Sequence, residues 1–158
     1  MMEPKAVSGS RVYMTELVLP NDTNQLGNLL GGRLMHWIDI AAAIAAQRHS
    51  GRVCVTASVD ELTFHLPIRL GEVVTLQASV NRAFHTSMEV GVLVTAQGIH
   101  HDVPRRANSA YLTFVALDER HTPVRVPEVL PESPDELRRY NQALKRREER
   151  LAKRPPRS

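Results

Sequence analysis

The chain has a single cysteine, Cys54, in 158 residues, which excludes an internal disulfide framework. A reducing, cytoplasmic compartment is expected on that ground. Aromatic residues make up only 4%, so any core is aliphatic, and the 42% apolar content suffices for one at single-domain length. No apolar run reaches the roughly 18 residues of a membrane span, and the N-terminus lacks a basic-then-apolar leader pattern. A soluble protein without a membrane partner is expected. Histidine, cysteine and acidic residues nowhere take metal-ligand spacing, so no metal is predicted.

The net charge of +3 conceals two unlike parts. Beyond Leu137 stand nine Lys and Arg against Glu148 and Glu149, whereas residues 1–137 carry eleven basic and fifteen acidic side chains, a net of −4. The basicity belongs to a tail, which argues against a nucleic-acid partner for the folded body.

What is present is an apolar helix with an acid in its middle. From Leu34 to Gln47, Asp39 is the only charged residue. A helix apolar nearly all round belongs in the centre of a fold, and an ionised carboxylate there loses several kcal/mol of solvation, on the order of magnitude for a buried ion, unless it is paired or faces a wet cleft. Ahead of it, Asn24 to Gly32 has the composition of a ligand-approach loop, with Gly31 and Gly32 at the positive end of the helix.

Residues 1–10 are expected to be flexible, 11–130 to form one domain and 131–158 a basic helix and tail. Arg11 to Leu19 reads as a strand ended by Pro20-Asn21-Asp22, and a helix follows from about Leu30 to His49, stopped at Ser50-Gly51. Period-two patterns then recur. Val53, Val55, Ala57 and Val59 share one face of a strand, with Thr56, Ser58 and Asp60 alternating against them. Val74 to Val80, Met88 to Ala96 and Ala110 to Ala116 repeat the pattern, the last reached through a loop from His100 to Arg106. Short links between alternating strands predict an antiparallel meander with one buried face. Ser133-Pro-Asp-Glu136 is a capping box opening a last helix, whose apolar stripe of Leu137, Tyr140, Leu144 and Leu151 is expected to pack on the body or on a neighbouring subunit, with a solvated basic face. The class is α+β: a five-stranded antiparallel sheet wrapped round one long central helix, plus an accessory helix. One sheet cannot cover every side of that helix, so at least a dimer is expected.

Leu19-Pro-Asn-Asp-Thr-Asn24, Gly27-Asn-Leu-Leu-Gly-Gly32, Leu34-Met-His-Trp-Ile-Asp39 and Thr56-Ala-Ser-Val-Asp60 resemble the acyl-CoA thioesterase (acyl-CoA hydrolase) branch of the hotdog superfamily. Thr86 to Val90 and Tyr111 to Phe114 fit as well. The resemblance implies hydrolysis of fatty-acyl-CoA to free acid and coenzyme A. It also implies a site shared by Asn24 of one subunit and Asp39 of the other, a trimer of dimers (a hexamer), and no cofactor beyond the coenzyme A of the substrate. Within that frame Asp39 is the expected general base or nucleophile, and Asn24 orients water or the carbonyl. Backbone N–H groups at Gly31 and Gly32 hold the oxyanion. Ser58 is placed near the pocket, Thr86 and Ser87 along the pantetheine arm, and Arg105 and Arg106 at the nucleotide phosphates. His36, one turn before Asp39, is expected to be a satisfied core histidine, and His100, His101 and Asp102 a solvated loop. Two alternatives stand beside hydrolysis. A hotdog hydratase uses Asp-x-Asn-x-x-His, but here Gly27 holds the histidine position. An acyl-CoA-binding regulator would keep the fold and tolerate loss of Asp39.

Overall fold

Alternating aliphatic side chains put one apolar face on each long strand, and the computed structural model closes that face over a helix. The structure describes residues 2–155 except Glu61, Thr63, His65 and Asp102. The elements are β1 (Lys5–Ala6), β2 (Val12–Leu17), α1 (Gly31–Ser50), β3 (Val53–Val59), β4 (Val73–Ala83), β5 (Ser87–Gln97), β6 (Arg105–Leu117), β7 (Val129–Leu130) and α2 (Pro134–Ala152). The five-stranded sheet runs β2-β4-β5-β6-β3, antiparallel throughout. This is the hotdog arrangement. No helix among the described residues is long and apolar enough to cross a membrane.

Leu76 and Val80 of β4, Val90 and Val94 of β5, and Leu112 and Phe114 of β6 are buried against α1. The helix answers with Leu34, Ile38, Ala41, Ala42, Ala45 and Ala46, whose small alanines let it lie close to the sheet. Each large aliphatic side chain so buried stabilises the fold by roughly 1.5–3 kcal/mol. The helix ends at Gly51, which adopts φ +67° and donates its N–H to the Gln47 carbonyl, a left-handed cap that glycine takes without steric cost.

Four expectations are corrected. The strands are only partly a meander: β4, β5 and β6 follow one another, but β3 pairs with β6 at the far edge. Consecutive β3 and β4 therefore do not pair, and alternation alone cannot say which neighbour a strand takes. Residues 5–10 are tied down rather than loose. β1 pairs in parallel with β7, Val7 is buried, and the buried Ser10 hydroxyl accepts the Val80 N–H at 2.9 Å. The central helix buries one face only, leaving His36 and Ile40 exposed.

The last helix turns in only part of its expected stripe, Tyr140, and leaves the three leucines outside the contact. Ser133 caps it as predicted, accepting the Glu136 N–H at 3.1 Å. The side facing the sheet then carries Glu136, Tyr140, Ala143, Arg146 and Arg150, while Leu137, Leu144 and Leu151 face solvent. Charge explains which side is turned in. Glu89 lies fully buried on the outer face of β5, and Arg146 reaches it with two hydrogen bonds of 3.1 and 2.7 Å while stacking 3.6 Å over the Tyr111 ring. A buried carboxylate needs that partner more than leucines need cover.

Candidate active site

The uncovered side of α1 carries His36, Asp39, Ile40, Ala43 and Gln47 at helical spacing. Asp39, expected to be buried, is half-buried in the single chain because the sheet ends beside it at β3. Thr56 of β3 donates a 2.7 Å hydrogen bond from Oγ1 to Asp39 Oδ1. Among the described residues Oδ2 has no partner, so one carboxylate oxygen is held and the other is available.

A β-bulge aims Thr56. The β3–β6 register passes from Thr56 opposite Phe114 to Ser58 opposite Thr113, so one extra residue sits on β3. Thr56 therefore shares the inner side with Phe114, whereas Ser58 and Asp60 turn to the outer face, where Asp60 meets Arg150 of α2 at 3.2 Å. The bulge also splits the predicted valine row: Val53 and Val55 point outward and Val59 inward, and all three are exposed, Val53 by 64%. A strand with apolar side chains open on both faces is an unfinished edge.

Asn24 sits in a loop fixed at both ends. Its Oδ1 accepts the N–H groups of Leu26 at 2.9 Å and Asn28 at 3.1 Å. Gly27 closes the turn at φ +76°, a conformation that side chains beyond glycine rarely adopt. Leu70 donates to the Gly27 carbonyl at 2.9 Å. Asp22 accepts the Leu19 N–H and pairs with Arg33 of the first turn of α1 at 3.2 Å, so the loop and the helix start move as one body. With its oxygen engaged, the exposed side chain of Asn24 offers its Nδ2 hydrogens outward. No hydrogen bond joins Asn24 to Asp39 within the chain among the described residues.

Gly31 and Gly32 open α1, and the first N–H groups of a helix have no intrahelical acceptor. The Phe64 ring lies over Gly31, where a Cβ would come within 3.2 Å of its Cζ. Gly32 is exposed, with open space around it.

The sequence over residues 26–101 matches the family model of the thioesterase superfamily, a span that holds Asp39 and Thr56 and starts just after Asn24. An uncharacterized acyl-CoA thioester hydrolase, YkhA, of Bacillus subtilis is 40% identical over 94% of this chain and 86% of its own length. Acyl-coenzyme A thioesterase 11 of mouse is 41% identical over 90% of this chain, which spans only 24% of that relative. The acyl-CoA hydrolase of Staphylococcus aureus, solved with butyryl coenzyme A and coenzyme A, superposes with a TM-score of 0.89 at 40% identity, covering 94% of this chain and 90% of that one. The chain belongs to the acyl-CoA hydrolase family of hotdog thioesterases. The Staphylococcus aureus hydrolase has also been solved as three separate single variants, with alanine replacing an asparagine, an aspartate or a threonine, positions separated by 15 and 17 residues. Asn24, Asp39 and Thr56 have that spacing. An apo-hexameric acyl-CoA thioesterase is similar too, with a TM-score of 0.91 at 36% identity over 97% of this chain and all of that one.

The remaining positions expected for this acyl-CoA hydrolase fold divide. Ser58 faces away from Asp39, as the bulge dictates. Thr86 and Ser87 form the β4–β5 hairpin turn, where Phe84 N donates to the Ser87 carbonyl, and no hydrogen bond links them to Asn24 or Asp39 among the described residues. Arg105 and Arg106 are strand residues rather than a loop. Arg105 grips both oxygens of Glu72 at 2.7 and 2.9 Å and the Pro67 carbonyl, so its guanidinium is committed. Burial works against ionisation of Glu72, but hydrogen bonds from Arg105 and the Arg69 N–H outweigh it and hold the carboxyl below its ordinary value. A register shift between Val94 and Thr95 turns Arg106 to the outer face of the sheet. His36 is exposed, and the core histidine is His49 instead. Asp102 lies outside the described residues. Sequence reasoning passed over Thr56 in favour of Ser58, because an unbroken alternation does not reveal the bulge that separates their faces.

Proposed function

We propose that this chain hydrolyses fatty-acyl-CoA thioesters to the free acid and coenzyme A. The observation that carries the reading is the half-held carboxylate of Asp39, on an uncovered helix face and at the family spacing from Asn24 and Thr56. Thr56 fixes Oδ1, and Oδ2 takes a proton from a water molecule whose oxygen adds to the thioester carbonyl carbon. The carbonyl oxygen gains negative charge, for which the Gly31 and Gly32 N–H groups and the Asn24 amide hydrogens are donors. Collapse of the adduct breaks the C–S bond, and the departing thiolate takes up a proton. Direct attack by Asp39, giving a mixed anhydride that water then cleaves, is the second route. The reading calls for no metal or added cofactor, because coenzyme A enters as part of the substrate.

The site is completed by a second copy. The exposed edge of β3, the open face of α1 and the lack of an Asn24–Asp39 contact within one chain support a dimer in which Asn24 of one subunit serves Asp39 of the other. Three such dimers give the hexamer by which a similar thioesterase is described. The glycine at position 27 counts against hydration chemistry, since a histidine there would be strained as well as absent from the sequence.

Thiol release from acyl-CoA of graded chain length, measured on the protein and on Asp39→Ala and Asn24→Ala, tests the proposal. Release by the parent protein, with loss in both variants and retained acyl-CoA binding, is the expected result. Equal release by all three, or binding with no release by the parent, overturns it, and the second of these outcomes favours an acyl-CoA-binding regulator.

A further inference from the structure

The loop that carries Asn24 also carries an apolar side chain that the hydrolytic chemistry does not use. Leu26 is 82% exposed, and no other described leucine exceeds 51%. The exposure is built in rather than left by a loose segment. Asn24 Oδ1 holds the Leu26 N–H at 2.9 Å, Gly27 turns the chain at φ +76°, and the Leu70 N–H fixes the Gly27 carbonyl at 2.9 Å. In a single chain that leucine adds nothing to stability, since the hydrophobic effect acts only on apolar area removed from water.

In the shared site proposed for hydrolysis, on which this assignment rests, the Asn24 loop of one subunit serves Asp39 of the other. Because Asn24 itself closes the turn around Leu26, the two side chains travel together, with Cα atoms no more than about 7 Å apart. On the receiving helix Ala43 lies about 6 Å beyond Asp39, four residues at roughly 1.5 Å each. Ala43 is half-buried and Ile40 is 38% exposed, so the ground beside the carboxylate is apolar. Leu26 has the reach to meet that ground once Asn24 meets Asp39. The strip between them suits an alkyl chain rather than the pantetheine arm, whose amides would find no hydrogen-bond partner in Leu26, Ile40 or Ala43. An extended acyl chain advances about 1.25 Å per C–C bond, which brings roughly its fifth or sixth carbon under Leu26.

We propose that Leu26 of one subunit roofs the acyl chain in its partner's site and gives that site its preference for medium and long chains. Each methylene so covered is worth about fourfold in kcat/KM. Thiol release is measured with acetyl-, butyryl-, octanoyl- and dodecanoyl-CoA on the parent protein, Leu26→Ala and Leu26→Trp. The dodecanoyl-to-butyryl ratio of kcat/KM should fall roughly tenfold or more in Leu26→Ala, the cover of about two methylenes. Leu26→Trp should shorten the longest chain accepted. Co-expression of Leu26→Trp with Asp39→Ala then tests which subunit acts. A mixed dimer has one site with Asp39 from the first chain and Leu26 from the second, so long-chain release should return. Mixed dimers that keep the Leu26→Trp profile overturn the shared arrangement. An unchanged ratio in both variants, or an equal fall at every chain length, overturns the role of Leu26, and the equal fall leaves it to loop packing. Calorimetric binding of the same acyl-CoA series to Asp39→Ala, with and without Leu26→Ala, reads the chain-length slope without turnover. A parent that releases no thiol sinks hydrolysis, whereas a binding slope that Leu26→Ala leaves unaltered sinks the assignment of Leu26.

Discussion

The two faces of the sheet solve the burial of charge in opposite ways. On the outer face every element of the solution lies in one chain. Glu89 is fully buried, Asn81 and Arg146 satisfy it, and α2 is held by Arg146 on Tyr111, by Arg82 on Tyr140 at 3.9 Å and by Arg150 on Asp60. On the side of α1 the work is half done. Asp39 has one partner, and Ile40 and Val59 remain open to solvent. Stability is concentrated where the chain finishes its own contacts, and chemistry where it leaves them for substrate and a second copy.

The sharpest break of this contrast is Asp39→Ala. Loss of a general base lowers turnover by roughly 10²–10⁴-fold, while the half-exposed position makes the change nearly silent in stability. Thiol-release kinetics and a thermal melt read the two quantities, and a fall of Tm in step with activity would give Asp39 a structural role instead. Arg146→Met does the reverse. It strands a buried carboxylate, at a cost of about 3–5 kcal/mol, and the specific activity of the molecules that remain folded should hold. Urea unfolding measures the loss, and Glu89→Gln added to Arg146→Met should recover part of it. If the single and double variants are equally destabilised, the pair does not anchor α2.

Much of this contrast was legible in the sequence. The apolar helix with its lone acid, the loop ending in Gly31-Gly32, the alternation of three long strands and the Ser133 cap all correspond to what is seen, although the Glu136 carboxylate accepts the Glu132 N–H rather than closing the box on Ser133. The misses share one cause: they depend on contacts between distant segments. The β3 bulge that separates Thr56 from Ser58 is invisible to period two, and so is the shift that sends Arg106 outward. The orientation of α2 hinges on a buried glutamate 57 residues away from Arg146. The leucine stripe is a local signal, and the tertiary ion pair overrides it.

Thr56→Val is a smaller probe of the open face. It keeps the shape of the side chain and removes the hydrogen bond to Asp39, a contact to a charged group worth about 1.5 kcal/mol at the low end suited to a solvent-open site. Turnover should fall roughly tenfold with KM little changed, and Thr56→Ser should restore it. A Thr56→Val enzyme with full kcat would mean that Asp39 needs no orienting partner.

The smallest effect concerns the closed side of α1. His49 is buried, its Nε2 lies 2.7 Å from the Pro127 carbonyl, and its Nδ1 has no partner among the described residues. Burial lowers its pKa below the ordinary 6.5, Lys5 adds to that, and the Pro127 hydrogen bond opposes it only in part. The unfolded chain therefore binds this proton more readily than the folded one. The stability linked to His49 is complete above about pH 6.5 and is lost as pH falls toward the folded value, by at most about 1.4 kcal/mol per pH unit for one proton. Glu72, also held below its ordinary 4.5, contributes in the same direction but at more acid pH, so the two windows separate. Urea midpoints compared at pH 7.5 and 5.5 should differ for the parent protein and converge in His49→Gln, which retains a donor toward Pro127 but does not titrate. The same drop in both proteins would assign the acid sensitivity elsewhere, and His49 would then be only a space-filling link between α1 and the segment before β7.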